Sequence, residues 1–295
     1  MIWGFYNAHG LSLRPLGVGL AVVAALAGCT PGPNSPERDA AMAELEPREQ
    51  NALNALMMSN ADPNEAASYF AKASAQNPND LTLQRGHARA LTRLSRLTEA
   101  NAIWAKIIAQ PSATEQDRLG YADALIRANQ WDKAASILTT IPPTLDSFER
   151  YRLEAMVADS QRKWIRADSF YETAVGLTPD PSGVLNNWGY SKLTRGDFAA
   201  AERLFIDALN QDPDRFTTKN NLVIARAAQG KYVLPVIRMS QTERAELLYT
   251  SALAAIKKGD LVIGKSLLRD AIDSHPQYFE PAERALRALE DRTLP

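Results

Sequence analysis

Apolar and polar positions alternate along this chain on two superimposed periods. A short period of three and four residues marks helices, and a long period of about 34 residues marks a repeat. Small residues recur at one site, Ala66, Ala100, Ala134, Ala167, Ala201 and Gly264. Four residues later stand large apolar ones, Phe70, Trp104, Leu138, Tyr171, Phe205 and Leu268. Three further on lie Ala73, Ile107, Ile141, Ala174, Ala208 and Ala271. That spacing is one face of an amphipathic helix. Pro78, Pro179, Pro213 and Pro276 follow and stop the helix from continuing. The same register predicts a preceding helix in each unit, whose small-residue site holds Ala88, Ala122, Ala155, Gly189 and Ala252. Between the two helices an aromatic residue or leucine recurs: Leu97, Trp131, Trp164, Phe198, Tyr232 and Leu261. Gly196-Asp197 and Gly259-Asp260 read as tight turns, glycine tolerating unusual backbone angles.

This pattern resembles the tetratricopeptide (TPR) repeat in length and in its small and large positions. Its fullest copy is 182–215, with Trp188-Gly189, Gly196-Asp197-Phe198, Ala201, Phe205, Ala208 and Pro213 in register. The fold class implied is all-α, a TPR superhelical solenoid of helix-turn-helix repeats behind a lipoprotein signal peptide. Units are expected at 47–80, 81–114, 115–147, 148–181 and 182–215, five in all over 47–215, and again at 245–278. A capping helix is expected within 279–295, because an open solenoid end exposes apolar surface. Over 216–244 the pattern breaks into a half repeat. A first helix is expected at 217–229, but Pro235 forbids a regular second one. Ser240 and Glu243 read as a capping box opening the next helix. Two readings of the break stand: Val236 and Ile237 plug the core of a degenerate repeat, or the segment contacts a partner.

The amino-terminal segment has a different character. Residues 16–28 are uncharged and follow Arg14. The run is too short to cross a bilayer, which takes about 20 residues, and matches the apolar region of a secretory signal. Its end, Leu26-Ala27-Gly28-Cys29, resembles a bacterial lipobox, in which the cysteine is acylated and becomes the first mature residue. Cys29 is the single cysteine of the chain. The resemblance implies a cleaved signal peptide at 1–28 and a lipid anchor on Cys29. Thr30, where an aspartate would favour inner-membrane retention, implies the outer membrane of a Gram-negative bacterium, facing the periplasm. A Pro-rich tether with Pro31, Pro33 and Pro36 is expected over 29–46.

Composition narrows the chemistry. The 295 residues are 45% hydrophobic and 23% charged, with 33 Lys+Arg against 34 Asp+Glu, a formal net charge of −1. No basic excess exists to drive non-specific nucleic-acid binding. A single cysteine excludes an intrachain disulfide framework, and three histidines make a His-rich metal site a poor expectation. Neither a phosphate-cradling glycine loop, nor a zinc-binding helix motif, nor a nucleophile elbow is present. His87 and the tryptophans Trp104, Trp131, Trp164 and Trp188 fall on packing positions. The expectation is a non-enzymatic protein with no cofactor, no metal, no catalytic residues and no small-molecule substrate.

TPR proteins bind partners on the face lined by their first helices. In that register this chain places Arg48, Asn51, Arg85, Arg89, Arg93 and Arg127, then Arg152, Asn186, Tyr190 and Asn220. Arg85, Arg89 and Arg93 stack at i, i+4 and i+8 on one helical face. The stripe is either a solvated face or a partner-binding groove that takes acidic groups through arginine forks. Chaperone-binding TPR domains want asparagine where Arg89 and Tyr190 stand, so that particular clamp is not expected.

The lipobox, tether and TPR array together resemble the TadD family, TPR-containing lipoproteins of the Tad (tight adherence, Flp pilus) secretion machinery. The likeness runs through Asn186-Asn187-Trp188-Gly189-Tyr190, Asn220-Asn221-Leu222, the break from Pro235 to Ser240, and Ala271-Ile272-Asp273-Ser274-His275-Pro276. It implies a pilotin-like helper whose protein partner is the pilus secretin or another Tad component, held at the outer membrane by its lipid. The alternative is a periplasmic TPR lipoprotein adaptor for cell-wall enzymes or outer-membrane protein assembly.

Overall fold

The computed structural model describes residues 49–59 and 61–291. Arg48, Cys29, the tether and the signal segment lie outside the described residues. The described residues form fourteen α-helices, and no strand occurs among them. They divide into two compact units, one closing at Ile141 and the other opening at Pro142.

The first unit holds α1 (49–59), α2 (Pro63–Gln76), α3 (Leu81–Arg93), α4 (Leu97–Ile108), α5 (Glu115–Arg127) and α6 (Trp131–Leu138). From α2 onward each helix packs on the next. Phe70 and Trp104, large residues of the second helices, are sealed in a core with Leu91, Ala100 and Ile107. The second unit holds α7 (Phe148–Ser160), α8 (Trp164–Gly176), α9 (Ser182–Thr194), α10 (Phe198–Gln211), α11 (Phe216–Ala228), α12 (Gln241–Lys258), α13 (Leu261–Ser274) and α14 (Glu280–Asp291). Here Tyr171, Phe205 and Leu268 fill the equivalent positions and are fully buried.

Small residues set the spacing. A Cβ built on Gly189 would stand 2.7 Å from the Phe205 ring, so α9 and α10 meet at a distance only glycine permits. Helix starts follow side-chain chemistry. Asp62, Asp80, Thr114, Ser147 and Ser240 each accept backbone N–H groups at first-helix or second-helix openings, satisfying donors that a helix leaves unpaired.

The turn inside each pair is built another way. One left-handed residue recurs there, Ser95, Asn129, Arg162, Gly196, Gly230 and Gly259. The next amide then reaches back to the helix end, as from Arg96 to the Leu91 carbonyl at 2.9 Å and from Lys163 to Ala158 at 2.9 Å. This Schellman-type closure satisfies a terminal carbonyl and reverses the chain.

At the break the turn is made but the second helix is not. Lys231 N–H still bonds the Arg226 carbonyl at 3.0 Å. Residues 231–240 then run without helix. Tyr232 and Leu234 pack against the α12–α13 cluster of Leu248, Ala252 and Leu268, while Ile237 packs against Phe205 and Leu222. Ser251 Oγ anchors the segment by donating to the Tyr232 carbonyl at 2.9 Å. The plug is therefore Ile237 with Tyr232 and Leu234. The expectation for Val236 is corrected: it is fully exposed, standing at the tip of a bend that the Ile237 N–H closes by donating to the Pro235 carbonyl at 3.0 Å.

Candidate functional site

The first-helix face in the N-terminal unit is organised by one carboxylate. Arg85 on α3 forks onto Asp117 on α5, with Nε–Oδ1 and Nη2–Oδ2 both 2.7 Å. Asp117 is buried at the start of α5, where Thr114 donates its N–H at 2.9 Å and its hydroxyl at 3.0 Å to the same carboxylate. Burial works to raise this carboxyl. Arg85 and Thr114 overcome it and hold Asp117 below the usual carboxylate range. Sequence reasoning missed Asp117 as a site residue. Its signal was there, a Thr-x-x-Asp capping box one repeat after Arg85.

Arg89 lies one turn beyond Arg85 on the same face of α3. It is half-buried and makes no hydrogen bond or ion pair among the described residues. Burial pulls its guanidinium below the usual arginine range, Asp117 offsets this in part, and Arg85 adds repulsion. The group stays charged, arginine being a very weak acid. A half-desolvated cation whose nearest carboxylate is already engaged is a ready site for an anionic group.

Most of the other expected positions have partners within the fold. Arg93 is exposed, with Nη1 3.5 Å from the Met58 carbonyl. Arg127 Nε bonds Asp123 on its own helix at 2.6 Å. Asn51 is exposed on α1. In the C-terminal unit Arg152 Nη1 lies 3.8 Å from Met156 Sδ. Asn186 accepts from Thr218 and from Asn221, each at 3.1 Å, and so ties α9 to α11. Asn220 accepts from Thr250 at 2.8 Å and ties α11 to α12. Tyr190 packs beside Phe205. Asn186 and Asn220 are thus rungs between successive first helices. The structure groups Asn51, Arg85, Arg89, Arg93 and Arg127 in one unit, and Arg152, Asn186, Tyr190 and Asn220 in the other.

The tryptophans differ from one another. Trp104 is sealed in the core, whereas Trp131, Trp164 and Trp188 are half-buried. Trp188 donates to Asp168 at 2.6 Å, and Trp164 lies under the Arg195 guanidinium at 5.3 Å. His87 is half-buried, its pKa lowered first by burial and then by Arg96. An open cleft of about 410 Å³ between α4, α5 and α6 is walled mainly by Ala105, Ile108, Tyr121, Leu125 and Ile137. Among the described residues no group of three or more His, Cys, Asp or Glu is placed to hold a metal ion. No described helix is long and apolar enough to cross a membrane.

Residues 186–234 match the family described as Tetratricopeptide repeat. Solved structures extend the likeness over most of the chain. The structure "Crystal structure of APC/C hetero-tetramer Cut9-Hcn1" is matched over 79% of this chain at 15% identity and a TM-score of 0.58. The fold is that of the TPR proteins. A tetratricopeptide repeat protein from Parabacteroides merdae, another TPR structure, is matched over 82% of this chain and 98% of its own, at 13% identity and a TM-score of 0.53. Human IFIT1, solved as a dimer with m7Gppp-AAAA, is matched over 79% of this chain at 13% identity and a TM-score of 0.58. The chain spans less than two thirds of two of these, 47% of the Cut9-Hcn1 chain and 59% of IFIT1. No curated protein sequence matches it significantly.

Proposed function

We propose that this TPR protein is a non-enzymatic scaffold that binds protein partners, and that it serves Tad/Flp pilus biogenesis as an outer-membrane-anchored lipoprotein, a pilotin-like helper of secretin assembly. The observation that carries the binding role is Arg89, a half-buried cation without a counter-ion on the first-helix face, beside an arginine whose carboxylate is already taken. It suits an acidic side chain or a terminal carboxylate on the partner. Asn51, Arg93 and Arg127 belong to the same unit. The lipobox at Cys29 and the sequence likeness to the TadD family support the cellular assignment. Anchoring would raise the effective concentration of a bound secretin at the membrane.

The test has two arms. Cys29→Ser in the native host, followed by membrane fractionation, secretin multimers and surface pili, tests piloting. Loss of membrane association together with multimers and pili supports it. Loss of association with both intact rejects piloting and favours the adaptor role. Arg89→Glu, read by cross-linked pull-down, tests the groove. Capture of the partner falls at least tenfold and Arg89→Lys keeps most of it; unchanged capture removes Arg89 from the site. Arg85 is unsuited to this test, since Arg85→Glu would leave a buried Asp117 facing a second carboxylate.

A further inference from the structure

The turns of the C-terminal unit carry a feature that its groove does not explain. The second residue of each second helix, or of the segment replacing it, is Ile165, Ala199, Val233 and Val262. All four are exposed, with Ile165 at 89%, Val233 at 80% and Val262 at 84%. Exposed apolar residues are ordinary when scattered, but these occupy one repeat position in succession. In the N-terminal unit the same position holds Asn64, Thr98 and Asp132.

The four turns form a continuous edge, because each touches the next. Arg195 lies over Trp164 at 5.3 Å. Gln229 Nε2 donates to the Phe198 carbonyl at 3.3 Å. Lys258 Nζ donates to the Ala228 carbonyl at 3.3 Å, and the Tyr232 hydroxyl donates to Asp260. Trp164, Phe198 and Tyr232, each the residue before a member of the row, are half-buried.

Cations flank the row. Arg162, Lys163, Arg166, Lys257 and Lys258 are all exposed. Of the acids of these turns, Glu202 is paired with cations, whereas Asp197 and Asp260 hold only neutral donors and keep their charge, so the exposed cations outnumber them. Asp197 accepts the Ala200 N–H at 3.2 Å, and Asp260 takes the Tyr232 hydroxyl. Glu202 is occupied by Arg226 at 2.6 Å and Lys231 at 2.9 Å.

We propose that this edge is a contact surface for an anionic lipid bilayer. Protruding β-branched side chains enter the boundary between headgroups and acyl chains, and the flanking Lys and Arg pair with lipid phosphates. Charge complementarity selects a bilayer over an apolar protein face, since a dry protein contact would strand this excess of exposed cations. The site is separate from the groove, and its test is independent of the pilus.

The experiment uses the full chain with Cys29→Ser, so that no acyl group contributes. An environment-sensitive fluorophore is placed on Val262→Cys, and in a second sample on Thr98→Cys. Vesicles are phosphatidylethanolamine with phosphatidylglycerol, or phosphatidylcholine alone. The expected result is a blue shift at Val262 with the anionic vesicles, weakened by salt, and none at Thr98. Adding Arg162→Glu, Lys163→Glu and Lys257→Glu, with helicity unchanged by circular dichroism, reduces lipid affinity at least tenfold. The proposal fails if Val262 shows no shift with anionic vesicles, shifts equally with phosphatidylcholine, or is indifferent to the charge reversals. A shift seen only on adding outer-membrane protein makes the edge a protein contact and overturns it too.

Discussion

Gly120 on α5 lies against the indole of Trp104 on α4, so closely that a Cβ there would stand 2.6 Å from Cη2 and Cζ2. The indole is sealed at 1% exposure. Gly120→Ala gains about 1 kcal/mol of helix propensity and loses more to overpacking, which costs about 1–3 kcal/mol in a full core. Denaturant melts should show net destabilisation. The double variant with Trp104→Phe should recover much of it, and a strictly additive double variant would place the strain elsewhere.

Left-handed residues in the turns predict opposite outcomes for one substitution type. Ser95 adopts φ 59° at a position where Gly196 adopts φ 85°. A Cβ in that conformation costs about 1–2 kcal/mol. Ser95→Gly should raise the melting temperature, part of the gain being offset by the freer unfolded chain. Gly196→Ala should lower it. Equal, small changes in both would show that the turns relax without penalty.

Asp159 makes one contribution to stability fall as pH rises. Burial pushes its carboxyl above the usual range, although Ser191 at 2.7 Å and Tyr171 at 3.0 Å donate to it. A raised folded pKa means that the folded state holds the proton more tightly. The contribution is complete below the unfolded value near 4 and is lost as pH rises through the folded one. Asp117, Asp168, Glu202 and Glu243 are depressed and act in the opposite sense, so only a difference isolates Asp159. The melting temperature of Asp159→Asn minus that of the parent should increase between about pH 3 and pH 7. A flat difference would refute it.

Asp168 joins α8 to α9. It takes Trp188 Nε1 at 2.6 Å, Lys192 Nζ at 2.9 Å and the Arg195 guanidinium. Burial opposes its charge, yet Arg195, Lys192 and Trp188 hold the carboxyl below the usual range. Asp168→Ala should cost about 2 kcal/mol, because three donors lose their acceptor at once. Its cost should shrink as pH falls through the depressed folded value, where the parent carboxylate is itself neutralised. Tryptophan emission from Trp188 should change alongside, which a remote effect would not produce.

The candidate site was only partly legible before folding. The i, i+4 stacking of Arg85, Arg89 and Arg93 follows from helical periodicity alone. Which of them is available does not. Arg85 is consumed by Asp117, 32 residues away, and only the packing of α3 on α5 brings the two together. Asn186 and Asn220 read as groove residues in sequence, but their amide oxygens are spent on Thr218, Asn221 and Thr250 in the next first helix.

Helix content, the repeat period and the place of the break were written in local spacing, since small and large residues at intervals of three and four specify a helix face whatever surrounds it. Tertiary structure decided how residues with the same local pattern divide between core and solvent. Val236 and Ile237 are neighbours of similar apolarity, yet one is bare and the other is packed against Phe205 and Leu222. Ile165, Val233 and Val262 became one edge because stacked turns touch each other. These outcomes depend on contacts between residues far apart in sequence, and the energy of burying a group is set by the neighbours that folding delivers.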